Sequence, residues 1–277
     1  MNDPSKTEAE HARTLSRVEG LALKAFLAAA LAAALVIAST AVFPFAARGD
    51  DGVAIPIGDL PSGFVPLFNG VDFTGWEGNQ EFFRIDESAI IAGRLTEAVP
   101  RNEFLCTEKT YGDFELRLQV KGSQVNVNGG IQIRSKRMPG HHEVSGYQVD
   151  TGTQPSAILR RMFTEEGADA AHVAKDGRAN IWGSLYDESR RNRFLAVGDQ
   201  VELAKVFKPD DWNDFIVRCE GNRIQIWVNG VQTVDYHEPD DTIASSGIIG
   251  LQIHGGPAVE ISYRHIVIKE LSESRAQ

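Results

Sequence analysis

The chain has 277 residues, 42% of them hydrophobic and 24% charged, an ordinary globular composition with enough apolar material for one large core. Its formal net charge of −10 gives a surface that repels phosphate backbones, which argues against nucleic acid as a partner despite the local cluster Arg190, Arg191, Arg193. No P-loop, G-x-G-x-x-G, H-E-x-x-H or EF-hand loop occurs, so the commonest nucleotide and metal motifs are absent.

Residues 1–47 stand apart from the rest. "KAFLAAALAAALVIASTAVF", residues 24–43, is one lysine followed by an uncharged run rich in Ala and Leu. Such a run enters hydrocarbon either as a secretory h-region or as a membrane-spanning anchor. "STA" at 39–41 is a small-x-small cleavage site. The preceding segment is long for a signal peptide, and its acids (Asp3, Glu8, Glu10, Glu19) balance its bases (Lys6, Arg13, Arg17, Lys24). The expectation is export, to a periplasmic, secreted or membrane-anchored location, with membrane contact only through this segment. A polar linker follows over 48–61, opening with "RGDDGVAIP", then a single domain over 62–271 and a short tail, 272–277. The two cysteines, Cys106 and Cys219, are consistent either with a disulfide in an oxidising compartment or with two buried thiols on separate strands.

From residue 60 onward apolar and polar residues alternate almost everywhere. "DFELRLQVK" (113–121) sets Phe114, Leu116, Leu118 and Val120 against Glu115, Arg117, Gln119 and Lys121. "NRIQIWVNG" (222–230) does the same and ends in Asn229-Gly230, the strongest short signal for a tight hairpin. "FFRID", "AIIAGRL", "FIVRC", "GIIGLQIH" and "VEISYRHIVIKEL" continue the pattern between Gly, Asn and Asp punctuation. This predicts an all-β antiparallel sandwich, with Phe215 and Ile226 in its core and Trp76, Trp212 and Trp227 in packing or surface roles. One charged, Ala- and Gly-rich stretch, 162–180, breaks the rhythm and reads as a short helix or a functional loop. "HHEVSG" at 141–146 reads as a solvated loop.

Three strands place functional side chains in their polar slots. "GGIQIRS" sets Gln132 and Arg134 beside Ile131 and Ile133; "GYQVDTG" sets Gln148 and Asp150 beside Tyr147 and Val149; "GLQIHGG" sets Gln252 and His254 beside Leu251 and Ile253. A carboxylate in mid-strand is unusual, since Asp is depleted in strands. For Asp150 the plain alternative is a turn cap before Thr151-Gly152, for His254 a structural hydrogen bond, and for Arg134 an ion pair with Asp150.

The ordered segments "PLFNGVDFTGWEG", "RLTEAVPRNEFLCTEKTYGDFELRLQVK", "NGGIQIRS", "GYQVDTG", "WGSLYD", "WNDFIVRCEGNRIQIWVNGVQTVDYHEPD" and "GIIGLQIHGGPAVEISYRHIVIKEL" together resemble the 3-keto-disaccharide hydrolase domain, also catalogued as the domain of unknown function 1080. The resemblance spans residues 62–271. It implies a concanavalin A-like jelly-roll sandwich of the lectin and glucanase kind, whose concave sheet carries the site. It also implies activity on glycosides already oxidised to a ketone at C3 by a partner sugar 3-dehydrogenase. On that basis Asp150, His254 and Arg134 are the candidate catalytic residues, and Gln132, Gln148, Gln252, Tyr186 and Trp182 the candidate binders of a carbohydrate substrate. No cofactor is required; a divalent metal such as calcium, shared by Asp150 and His254, stays open. Many family members read Gly-Tyr-Glu-x-Gln where this chain reads Gly146-Tyr147-Gln148-Val149-Asp150, so carboxylate and amide have exchanged places. The rival reading is a non-catalytic carbohydrate-binding or adhesion module.

Overall fold

The computed structural model describes residues 60–122, 127–155 and 178–271. The signal-or-anchor segment, nearly all of the linker, most of the 162–180 stretch and the tail lie outside the described residues. Among those described, no helix is long and apolar enough to cross a membrane.

Two eight-stranded antiparallel sheets face each other. With strands numbered in chain order, the first sheet contains β1 (Val65–Pro66), β3 (Phe83–Asp86), β4 (Ala89–Gly93), β6 (Phe114–Gly122), β12 (Asn213–Glu220), β13 (Arg223–Val228), β14 (Val231–His237) and β16 (Glu260–Glu270). Its order is β14-β13-β12-β6-β16-β4-β3, with β1 beside β16. The second contains β2 (Trp76–Gly78), β5 (Glu103–Tyr111), β7 (Asn128–Arg137), β8 (Val144–Pro155), β9 (Arg178–Asn180), β10 (Leu185–Glu188), β11 (Phe194–Ala196) and β15 (Gly247–Ile253). Its order is β11-β10-β8-β7-β15-β5-β2, with β9 beside β8.

The alternation read from the sequence decides which side of each strand is dry. Phe114, Leu116, Leu118 and Val120 of β6 and Phe215, Val217, Ile224 and Ile226 of β12 and β13 are buried from one side. Leu105, Ile131, Ile133, Val149, Leu185, Leu251 and Ile253 of the second sheet meet them in the same core. Burying these side chains is the main force joining the layers, at roughly 1.5–3 kcal/mol for each large aliphatic residue. Asn229 and Gly230 both have positive φ, 49° and 84°, as a two-residue hairpin turn of matching twist requires, and they join β13 to β14. One short helix, α1 (Gln200–Ala204), has no counterpart in the sequence reading. Asp199 caps it by accepting from the backbone N–H groups of Val201 and Glu202, and Leu203 pins it to the core.

Candidate functional site

The site occupies the face of the second sheet turned away from the core. Antiparallel register sets Tyr186 opposite Gln148, Gln148 opposite Gln132, and Gln132 opposite Gly250. The next row sets Asp150 opposite Gly130 and Gly130 opposite Gln252. Gly130 leaves room for its neighbour: a Cβ there would fall 2.5 Å from Cγ and Cδ of Gln148.

A directed chain of hydrogen bonds crosses this face. Ser135 Oγ donates to Gln132 Oε1 (2.8 Å), Gln132 Nε2 to Gln148 Oε1 (2.6 Å), and Gln148 Nε2 to Asp150 Oδ1 (2.6 Å). In this orientation each amide satisfies both of its neighbours, and Gln148 holds the Asp150 carboxyl group in place. Burial raises the pKa of Asp150 well above the ordinary carboxylate range; the Gln148 bond opposes this and the charge of Glu188 adds to it.

Glu188 is the second carboxyl group of the face. Burial pushes its pKa up to about 7, helped by the nearby charge of Glu143 and opposed by hydrogen bonds from Gln252 and Ser189. Gln252 Nε2 donates to Glu188 Oε2 at 3.3 Å. Glu143, in the loop from β7 to β8, is bound by Asn102 Nδ2 (3.2 Å) and Ser189 Oγ (3.4 Å), and Asn102 Oδ1 also accepts from the Gly255 N–H (3.0 Å). Four loops, those before β5, between β7 and β8, after β10 and after β15, are thereby tied together. Behind the face, Tyr147 Oη donates to Glu238 Oε2 (2.6 Å), which Arg191 also holds (2.7 Å), while Arg190 and Arg191 both pair with the buried Asp187. Burial acts to raise the Glu238 pKa, but the bonds from Arg191 and Tyr147 prevail and hold it near about 2. Glu188 and Asp187 are chain neighbours on opposite faces of β10. Their surroundings give one a proton near neutrality and give the other two guanidinium partners.

A family model described as the 3-keto-alpha-glucoside-1,2-lyase-like domain matches residues 63–269. The chain belongs to this family. Comparison with curated proteins found no match. Among solved structures, the chain is similar to a candidate glycosyl hydrolase from Parabacteroides distasonis, with 16% identity, a TM-score of 0.49, and coverage of 76% of this chain and 94% of that one. A second such protein from the same organism gives 19% identity, a TM-score of 0.49, and coverage of 75% and 99%. A carbohydrate-binding module from Bacillus subtilis gives 12% identity, a TM-score of 0.41, and coverage of 71% and 96%.

In this member of the 3-keto-alpha-glucoside-1,2-lyase-like family, the residues expected from sequence separate into two groups. Gln132, Gln148, Asp150, Gln252 and Tyr186 lie on the polar face. The three amides are buried, at 0%, 3% and 0% exposure for Gln132, Gln148 and Gln252, and bond to one another or to Glu188 and Asp150. Tyr186 packs edge-on against Phe194, and burial and the charges of Glu188 and Asp150 raise its hydroxyl pKa. Its hydroxyl has no hydrogen-bond partner among the described residues.

Arg134 and Trp182 lie elsewhere than the alternation predicts. β7 carries a bulge between Ile133 and Lys136, and Arg134 takes a left-handed φ of 46° there, so the alternation fails at that residue. Its guanidinium reaches the other sheet instead, donating to the carbonyls of Gly112 (2.9 Å) and Gly221 (2.7 Å) and pairing with Asp113 (2.7 Å). It is an inter-sheet clamp and pairs with no group of the site. Trp182 precedes β10 across a turn in which the Ser184 N–H returns to the Ile181 carbonyl and Gly183 has φ 72°. Counting in twos across that turn gives the wrong face. The indole packs in the core against Phe207 and Phe215.

His254 follows β15, half-buried, with Nδ1 2.6 Å from the Gly255 carbonyl. A carbonyl only accepts, so Nδ1 carries the proton and Nε2 the lone pair in the neutral ring. No bond joins it to Asp150 among the described residues. Nor do the described residues hold a group of three or more His, Cys, Asp or Glu side chains that fits a metal ion. Asp150 and His254 offer two donor side chains, one of them a nitrogen, where a calcium ion takes about six to eight oxygen ligands. Cys106 and Cys219 are free thiols in different sheets, each pushed up to about 12 by burial. Glu188 is the residue that sequence reasoning missed. The signal was there: "LYDE" continues the alternation from Tyr186, and Glu188 is the next residue on that face.

Proposed function

We propose that this chain is an exported enzyme that cleaves 3-keto-glycosides by elimination, on a concanavalin-like jelly roll, with Glu188 as base and Asp150 as acid. The family match supports the substrate class. A single feature of the site carries the chemistry: two carboxyl groups on one polar face, both raised in pKa, with Glu188 at about 7. A group at that value is substantially ionised at neutral pH and still basic enough to take a carbon-bound proton made acidic by a ketone.

The steps follow from electron flow. The C3 ketone acidifies the C2–H. Glu188 takes that proton, and the C–H pair becomes an enolate on the C3 oxygen. The Tyr186 hydroxyl, without a partner among the described residues, donates to that oxygen in this reading. The enolate collapses to a C1=C2 double bond and expels the C1 oxygen, which receives the proton of Asp150. Water then adds to C1 of the enone and gives a proton to Asp150 while Glu188 returns its proton to C2, which restores both carboxyl groups and completes a net hydrolysis. Gln148 holds Asp150 by one carboxyl oxygen and leaves the other for the proton. His254 Nε2 serves the sugar or the leaving group.

The deciding experiment compares a 3-keto-glucoside with its unoxidised parent. Aglycone is expected from the first alone, because only the ketone acidifies C2. Equal cleavage of both removes the elimination mechanism. Binding of either without turnover gives the carbohydrate-binding reading instead.

A further inference from the structure

The side-chain amide of Gln252 is fully buried, at 0% exposure, and half of it is unused. Nε2 donates to Glu188 Oε2 at 3.3 Å, but Oε1 is buried without a hydrogen-bond partner. An unmade bond of this kind is costly, and buried side-chain acceptors are seldom left so. The nearest change that gives Oε1 a role is a proton on Glu188. An ionised carboxylate accepts from an N–H; a protonated one needs an acceptor for its O–H. Turning the amide over exchanges Nε2 for Oε1 at the Glu188 contact and leaves the volume unchanged.

We propose that Gln252 is the positioning residue of the Glu188 base, its amide turning over as Glu188 gains and loses a proton: Nε2 donates to the carboxylate, Oε1 accepts from the acid. The inference rests on Glu188 acting as the base described above. In each turnover Glu188 receives a proton from carbon and must hold it without swinging away, and the flipped amide supplies the acceptor. The other groups facing Glu188 do not do this. Glu143, from the β7–β8 loop with His142 beside it, is a charge that raises the proton affinity. Asp150 on β8 is bonded to Gln148, Tyr186 on β10 feels Glu188 only as a charge, and His254 at the end of β15 bonds to the Gly255 carbonyl. Arg190 and Arg191 are turned to Asp187 and Glu238. Ser189 has a single hydroxyl shared between Glu143 and Glu188 at 3.4 and 3.5 Å.

The test follows the side-chain NH2 signals of Gln252 by NMR in the full chain as pH is varied, with no substrate present. The expected result is one titration, with the midpoint of the acid limb of kcat/KM on a 3-keto-glucoside, and its disappearance in Glu188→Gln. Gln252→Met removes both bonds, and because the charge-assisted one to the carboxylate is the stronger, the acid limb should move to higher pH, by up to about one unit, a tenfold change in proton affinity. Amide signals that stay flat through the Glu188 titration overturn the proposal, as does a limb that does not move in folded Gln252→Met. If the amide titrates with Glu188 but no 3-keto-glycoside is turned over, the amide switch stands and the enzymatic reading falls.

Discussion

Gln252 and Glu188 meet at 3.3 Å although two other strands, β7 and β8, lie between theirs. Following the register, Glu188 opposes Gly146, and its row continues to Ile248 on β15, four residues before Gln252. On a flat sheet the pair would stand about 14 Å apart across the strands and about 13 Å along them. The second sheet must therefore curl and twist toward its polar face. That curl turns separated polar slots into one site and moves the Glu188 pKa toward neutrality.

Glu188→Gln keeps the shape of the side chain and removes the base. The rate of elimination on a 3-keto-glucoside should fall by ~10²–10⁴, the usual loss for general acid–base catalysis. The melting temperature at neutral pH should hold or rise, because a buried charge has been removed.

Asp150→Asn retains the bond from Gln148 and removes the transferable proton. Aglycones that leave as strongly basic alkoxides should suffer most, whereas a nitrophenolate, which leaves without protonation, should be released at close to the wild-type rate. Measuring kcat against leaving-group pKa checks this; an equal loss for every aglycone would assign Asp150 to another role.

Stability should vary with pH in a direction set by the carboxyl groups. The raised value of Glu188, about 7 against an ordinary 4.5, means that the folded state holds this proton more tightly than the unfolded chain does. Its contribution is full below about pH 4.5 and lost as pH rises to about 7. Glu238, lowered to about 2, acts oppositely: its contribution is present above 4.5 and lost as pH falls toward 2. Melting temperature should fall between pH 4.5 and 7, and Glu188→Gln should flatten that slope.

Arg134→Met should act on the fold. Three acceptors in the turns before β6 and after β12, the Gly112 and Gly221 carbonyls and Asp113, lose their donor, which costs about 3–5 kcal/mol for a broken buried pair. Activity per folded molecule should be unchanged. A large loss of kcat in a variant with native stability would return Arg134 to the chemistry.

Trp182→Ala should likewise destabilise, by about 3–5 kcal/mol, as large-to-small core changes do. Trp182→Phe should keep the fold, with KM for a 3-keto-glycoside close to that of the wild type, because the ring faces Phe207 and Phe215 in the core.

Alternation along the chain is a local property of extended backbone, and so the sequence by itself determined which side chains share a face. The antiparallel sandwich, the Asn229-Gly230 hairpin, the burial of Phe215 and Ile226, and the grouping of Gln132, Gln148, Asp150, Gln252 and Tyr186 were all legible in that way. The ordered segments were enough to indicate the family. Alternation carries no information where the backbone leaves the extended state, and both misplaced residues lie there: Arg134 in a bulge, Trp182 in a turn. Tertiary structure alone decided which members of the polar face meet. The proton affinity of Glu188 depends on burial by distant segments, on a loop carboxylate 45 positions earlier at Glu143, and on an amide 64 positions later at Gln252. Desolvation and Coulomb interactions act through space, and only the curl of the sheet brings these groups within range.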